Sequence, residues 1–218
     1  MSVSVETEMK FSLENFNNIK EIHNLLCDTF IVYPYDKTML YDIYYDSENF
    51  DLLKNGYTYR IRNKRNRSIN FKTKGEVICG LLSRFEYRDA VDKKSSLDEI
   101  LKMNCETNTM VKNVFALQGQ MNLAKKVILC SYRTSFLIYY KDGNDIKKFG
   151  VCSFDKFFEE NKKKVHYEIE IESCDEELSS HLFMGFTMIK ERFDLLGLKN
   201  STANKYSVLM EDMGVRYD

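Results

Sequence analysis

The sequence predicts an α+β protein built on a closed or strongly curved antiparallel sheet of about eight strands, with helices in the gaps between them. Three observations carry that expectation. Strand-like segments recur along the chain, most of them at hairpin spacing. Several carry charged side chains at every second position, the period of a strand. Apolar residues at helical spacing fall between those segments rather than within them.

Taken in order, the first strand is Ser2–Leu13, followed by a helix in which Phe16, Ile19, Ile22 and Leu26 share one face. The tyrosine-rich segment Tyr33–Asp46 is the second strand. Tyr57–Asn63, Ser68–Lys74 and Leu81–Val91 follow, with Asn55-Gly56 and Lys74-Gly75 as breakers. Ser96-Leu97-Asp98-Glu99 has the form of a capping box, in which a hydroxyl and a carboxylate satisfy free amides at a helix start. Lys126–Lys141 and Ile146–Phe158 are joined across Asp142-Gly143-Asn144, where glycine accepts the positive φ of a tight hairpin. The Lys-rich stretch Asn161–Lys164 reads as a solvated turn, and Lys163–Ser173 as the last strand. Leu178, Leu182, Phe186, Ile189 and Phe193 form the stripe of a closing helix that Gly197 ends; Met184 and Met188 belong to it as packing residues.

Composition narrows the function classes. The 218 residues suit one large domain over residues 1–218, and one proline, nine glycines and no Ser/Gly/Pro-rich stretch leave no linker to divide it. Thirty-two basic and thirty-three acidic residues nearly cancel to a net charge of −1. Bulk charge therefore predicts neither nucleic-acid binding nor a membrane surface, and any electrostatic function has to come from placement. Six cysteines, at 27, 79, 105, 130, 152 and 174, include no CxxC spacing, which predicts reduced, mostly buried thiols in a cytoplasmic protein. No secretory h-region is evident, and no apolar run approaches the roughly 20 residues that span a bilayer.

Placement is where the chain is unusual. Glu6, Glu8 and Lys10 alternate with Thr7, Met9 and Phe11; Arg60 and Arg62 flank Ile61; Lys72 and Lys74 flank Thr73; Arg84, Glu86 and Arg88 alternate with Phe85 and Tyr87; Glu168, Glu170 and Glu172 flank Ile169 and Ile171. Each set lines a single face of its strand. Taken singly, any of them is an ordinary solvated face. Together they place like charges side by side, which costs about 1 kcal/mol per pair even across 4 Å of bulk water. A polyanion on the basic strands and a cation on the acidic ones would relieve that repulsion. A carboxylate cluster without histidines suits a hard, oxygen-preferring ion such as Mg²⁺ or Mn²⁺, since His23, His166 and His181 show no ligand spacing.

With these sets in view the chain resembles the CYTH, or triphosphate tunnel metalloenzyme, superfamily, which includes inorganic triphosphatases, thiamine triphosphatases and class IV adenylyl cyclases. The family's ExExK signature stands as Glu6-Thr7-Glu8-Met9-Lys10. Tyr44-Tyr45-Asp46, Leu52 to Gly56, Tyr59-Arg60-Ile61-Arg62, Phe71-Lys72-Thr73-Lys74-Gly75 and Arg84-Phe85-Glu86 look like its following blocks. Arg133, Asp155, Glu168-Ile169-Glu170 and Ser201 to Lys205-Tyr206 come later in the family's order. Arg88 departs from the acidic residue frequent in relatives.

The resemblance implies an eight-stranded closed antiparallel barrel, the triphosphate tunnel, with helices packed outside. It implies that Lys10, Arg60, Arg62, Lys72, Lys74, Arg84, Arg133 and Lys205 bind phosphate oxygens, and that Glu6, Glu8, Glu168 and Glu170 hold one or two divalent ions. Asp155 would be a further ligand, Glu86 would sit beside it, and Glu6, Glu8, Lys10 and Glu170 would carry the catalysis. Glu172 has the right parity but lies near a strand end and is left out. The implied activity is Mg²⁺- or Mn²⁺-dependent hydrolysis of inorganic triphosphate or a small organic triphosphate. A class IV adenylyl cyclase and a non-catalytic polyphosphate-binding module are the alternatives. The expected partner is a triphosphate-containing small molecule, not nucleic acid or membrane, and a homodimer stays open.

Overall fold

The computed structural model describes residues 2–15, 19–64, 66–116, 122–174 and 179–216. Its strands are β1 (Ser2–Leu13), β2 (Ile31–Asp46), β3 (Thr58–Asn63), β4 (Ser68–Lys72), β5 (Glu76–Ile78), β6 (Leu81–Ala90), β7 (Ala124–Asp142), β8 (Asp145–Glu159), β9 (His166–Ser173) and β10 (Lys199–Asn200). The helices are α1 (Ile19–Cys27), α2 (Asp51–Lys54), α3 (Leu97–Lys102), α4 (Glu106–Ala116), α5 (Ser180–Leu195) and α6 (Lys205–Asp212). Phe16 and Leu178 of the expected helical stripes lie outside the described residues.

All strand pairings are antiparallel, in the order β1-β9-β8-β7-β2-β3-β4-β6, and β6 returns to β1 to close an eight-stranded barrel. β5 and β10 are short additions on β6 and β1. The β7–β8 hairpin turns at Gly143, whose φ is 61°. The capping box at Ser96 forms with both of its hydrogen bonds, and Gly197 ends α5 at a φ of 75°.

Strand alternation sends the apolar side chains outward, where the helices cover them. Phe11, Phe154, Ile169 and Ile171 are buried with Leu182, Phe186, Ile189 and Phe193 of α5 and Ile22 and Leu26 of α1. Ile61, Ile69 and Phe71 are buried with Ile100 of α3 and with Val111 and Phe115 of α4. The third cluster differs, because Tyr44, Leu129 and Phe157 share parity with the inward residues Asp42, Ser131 and Asp155. They are packed under Tyr206, Leu209 and Met210 of α6, and Tyr206 stacks on Tyr44 at 4.9 Å. α6 thus closes one end of the barrel with an apolar plug.

Several expectations are corrected. β4 ends at Lys72. Lys74 therefore lies past the strand, exposed, with its side chain beside Gly56. β2 begins two residues before Tyr33, and β9 begins at His166, after the lysine turn. Of the six cysteines only Cys130 and Cys152 are buried; Cys27, Cys79 and Cys174 are exposed, Cys79 because it sits in the β5–β6 turn at a φ of 52°.

Candidate active site

The inward face of the same strands collects the charges. On β1, Glu6, Glu8 and Lys10 are buried and stand opposite Arg84 of β6 and Glu172 and Glu170 of β9 in the ladders Glu6↔Arg84, Glu8↔Glu172 and Lys10↔Glu170. Of the side chains expected to act, Glu6, Glu8, Lys10, Arg60, Arg62, Lys72, Arg84, Arg133, Glu170 and Lys205 line one cavity of about 490 Å³. Ten basic and seven acidic side chains line it, an excess of three positive charges in a chain whose net charge is −1. Lys74 does not join them. Asp155 and Glu168 are buried behind the lining, and both are bonded to Lys205, which does reach the cavity.

Eight of the ten lining cations are in ion pairs with carboxylates, Arg88 and Lys148 being in none among the described residues. Lys72 Nζ donates to both oxygens of Glu6 at 2.5 Å, and Arg84 spans Glu6 at 3.0 Å and Glu8 at 2.7 Å. Lys10 lies 3.0 Å from Glu8 Oε1. Arg133 forks onto Asp155 at 2.8 and 2.6 Å and reaches Glu170 at 3.0 Å. Lys205 Nζ sits 3.0, 2.5 and 3.1 Å from Asp155, Glu168 and Glu170. These pairs hold the donors in place before any ligand arrives, which is what electrostatic catalysis requires.

The pairing sets the protonation states. Burial pushes the Glu6 carboxyl up, but Lys72 and Arg84 outweigh it and hold the group well below the usual carboxylate range. At Glu170 burial is likewise overcome, by Lys205 and Arg133. Glu8 goes the other way, raised chiefly by its burial. Glu172 is pushed up to about 7 by burial and by the nearby charges of Glu6 and Glu170.

Two lumenal residues escaped the sequence reading. Asp42 of β2, fully buried, accepts the Arg62 fork at 2.7 and 2.7 Å and Arg60 at 3.3 Å. A lone acid among tyrosines gave no repeated set to notice, although its step of two to Tyr44 was visible. Glu172 was set aside for its place near a strand end, yet β9 runs one residue further and Glu172 stands beside Glu6 and Glu170. Gly150 of β8 allows this close approach, since a Cβ there would fall 2.0 Å from the Glu172 carbonyl oxygen.

Comparison with known proteins names this architecture. The family model of the CYTH domain matches residues 4–207. The chain belongs to the CYTH domain family. Among solved structures, this CYTH chain superposes on a candidate adenylate cyclase from Bacillus halodurans with a TM-score of 0.64 at 18% identity, covering 95% of this chain and 98% of that one. A candidate adenylyl cyclase from Hippeastrum, described as having a dominant triphosphatase activity, gives a TM-score of 0.59 at 17% identity, over 95% and 96% of the two chains. The protein PH1819 from Pyrococcus horikoshii gives 0.54 at 17% identity, over 95% and 99%. At such identities the likeness is one of fold. A search of curated proteins gave no match.

Divalent metals serve the tunnel enzymes of the CYTH family, and the donors of this chain fit one. Carboxylate oxygens of Glu6, Glu170 and Glu172 lie within 4.8 Å of one another, a purely oxygen set of the kind hard cations prefer. The raised Glu172 carboxyl is a deficit that a cation at this point would remove. So is the buried Oε2 of Glu8, which has no hydrogen-bond partner among the described residues. Among the described residues no helix is long and apolar enough to cross a membrane.

Proposed function

We propose that this CYTH protein is a Mg²⁺- or Mn²⁺-dependent triphosphatase that hydrolyses a phosphoanhydride bond of inorganic triphosphate or a small organic triphosphate. The observation that carries the proposal is the barrel cavity in which basic side chains of β3, β4, β6 and β7 face carboxylates of β1 and β9. Binding would exchange the cations' present carboxylate partners for phosphate oxygens. Arg60, Arg62, Arg84 and Arg133 would take these oxygens by planar forks, and Lys10, Lys72 and Lys205 as point charges. Glu6, Glu170 and Glu172 would hold the divalent ion, which supplies neutralising charge and makes water more acidic when bound. Water then adds to a terminal phosphorus as the bond to the bridging oxygen breaks, leaving orthophosphate and a shortened chain. The basic wall stabilises the charge that gathers on the leaving oxygen, and no side chain has to attack.

The triphosphatase activity described for the Hippeastrum neighbour supports hydrolysis over cyclisation. A screen of triphosphate, longer polyphosphate, ATP and thiamine triphosphate, with Mg²⁺, Mn²⁺ or a chelator, tests the reading. Metal-dependent phosphate release from at least one of them is expected. Cyclic AMP from ATP, with no phosphate released from any, would overturn it.

A further inference from the structure

The barrel contains two groups of three carboxylates with oxygens close enough to share an ion: Glu6/Glu170/Glu172 and Asp155/Glu168/Glu170. They differ in what already sits among them. We infer that Lys205 is the built-in cation of the second group, so that without substrate the chain takes one divalent ion, at Glu6/Glu170/Glu172, and not two. The inference rests on the metal-dependent reading of the cavity and adds its stoichiometry.

The contacts of the Lys205 ammonium are those of a bound ion. It touches all three carboxylates of its group at 3.1 Å or less. Arg133 covers Asp155 and Glu170 with a fork of its own. No oxygen of Asp155, Glu168 or Glu170 is among the buried atoms without a partner. Asp155 and Glu168 do not line the cavity, whereas Lys205 does, so an ion arriving from the cavity meets a like charge first. In the other group Lys72 and Arg84 hold Glu6, but among the described residues no cation touches all three carboxylates: Glu172 is in no ion pair, and Glu8, opposite it in the ladder, leaves Oε2 unpartnered.

Lys205 is also held from behind. It is the first residue of α6, whose N-cap Asn204 accepts from the Ser207 amide. The next residue, Tyr206, is seated in the barrel end against Tyr44 and donates to Asp46. The apolar plug therefore fixes the backbone that carries the ammonium, and without substrate a divalent ion could use the same oxygens only by displacing it. Sharing of Glu170 between the two groups adds to the exclusion.

Mn²⁺ titration of the full chain without substrate, by calorimetry and by electron paramagnetic resonance, tests this. The wild-type chain is expected to bind one ion, Lys205→Met two, and Lys205→Met/Glu168→Gln one again. Two ions in the wild type, or one in Lys205→Met, would overturn the inference while leaving the metal-dependent reading intact. No ion in the wild type would remove that reading and the inference with it. Should Lys205→Met fail to fold, Glu168→Gln alone decides the matter. Mn²⁺ affinity unchanged within about twofold supports Lys205 as the occupant, and a loss of about tenfold or more, the usual cost of disturbing a metal site, overturns it.

Discussion

The two faces of the barrel wall have opposite characters, although they alternate along the same strands. Outward, Phe11, Phe154, Ile169 and Ile171 are at most 1% exposed beneath α1 and α5. Inward, their neighbours Lys10, Asp155, Glu168 and Glu170 are also buried, but in a web of ion pairs around a cavity. Burying apolar surface stabilises the fold in proportion to area. Buried ion pairs roughly break even against the desolvation of their charges. The contrast teaches that, apart from the plug under α6, this protein keeps its hydrophobic core outside the barrel and leaves the inside to charged groups.

The comparison would break first at the outer face. Phe154→Ala is expected to cost about 3–5 kcal/mol in urea unfolding, through lost burial and the cavity left behind. A loss below about 1 kcal/mol would place the stability elsewhere. The inner face makes the converse prediction: Glu6→Gln or Glu170→Gln lowers metal-dependent phosphate release by roughly a hundredfold or more, with circular dichroism unchanged. Full activity of both variants with metal present would refute the site. A subtler inner effect concerns pH. Burial opposes ionisation of Asp42, but Arg62 and Arg60 hold its carboxyl down at about 2, against about 3.9 in an unfolded chain. Because the folded value is depressed, the contribution is complete above about pH 5 and is lost as pH falls through 2, about 3 kcal/mol in all. Asp42→Asn should flatten that stretch of the stability–pH curve. Smallest of all is the exposed pair Lys64–Asp36, 3.2 Å apart at the cavity rim, where Lys64→Ala should change stability by less than about 1 kcal/mol.

The strands were legible because two strong demands alternate on them, charge inward and bulk outward, as in Glu168-Ile169-Glu170-Ile171. Lumenal residues in repeated sets were legible for the same reason. Parity does not reveal where a strand stops, however, and that is why Lys74 was expected inside; Glu172 was left out for its nearness to an end, Ser173, that the sequence did place correctly. α2 and α4 were missed because groups outside the helices hold them. The Asp46 carboxylate accepts from the Leu52 and Leu53 amides, and Asp89 accepts from the Thr107 amide and hydroxyl while the Tyr59 hydroxyl donates to Asn108. The apolar residues of α6 are too few to announce a helix, and their role at the barrel end depends on a surface assembled from β2, β7 and β8.

The circular pairing has a consequence for biogenesis. β1 is bonded to β6 on one edge and to β9 on the other, so Lys10 meets Glu170 across a seam that joins opposite ends of the described chain. During synthesis β1 keeps one edge bare until β9, with seven strands between them in the described chain, has been made, a slow and aggregation-exposed topology. A fragment truncated anywhere before β9 retains neither the seam nor half of the acidic wall. Closure of the barrel and completion of the acidic wall should therefore come together, once β9 is made, and not in stages.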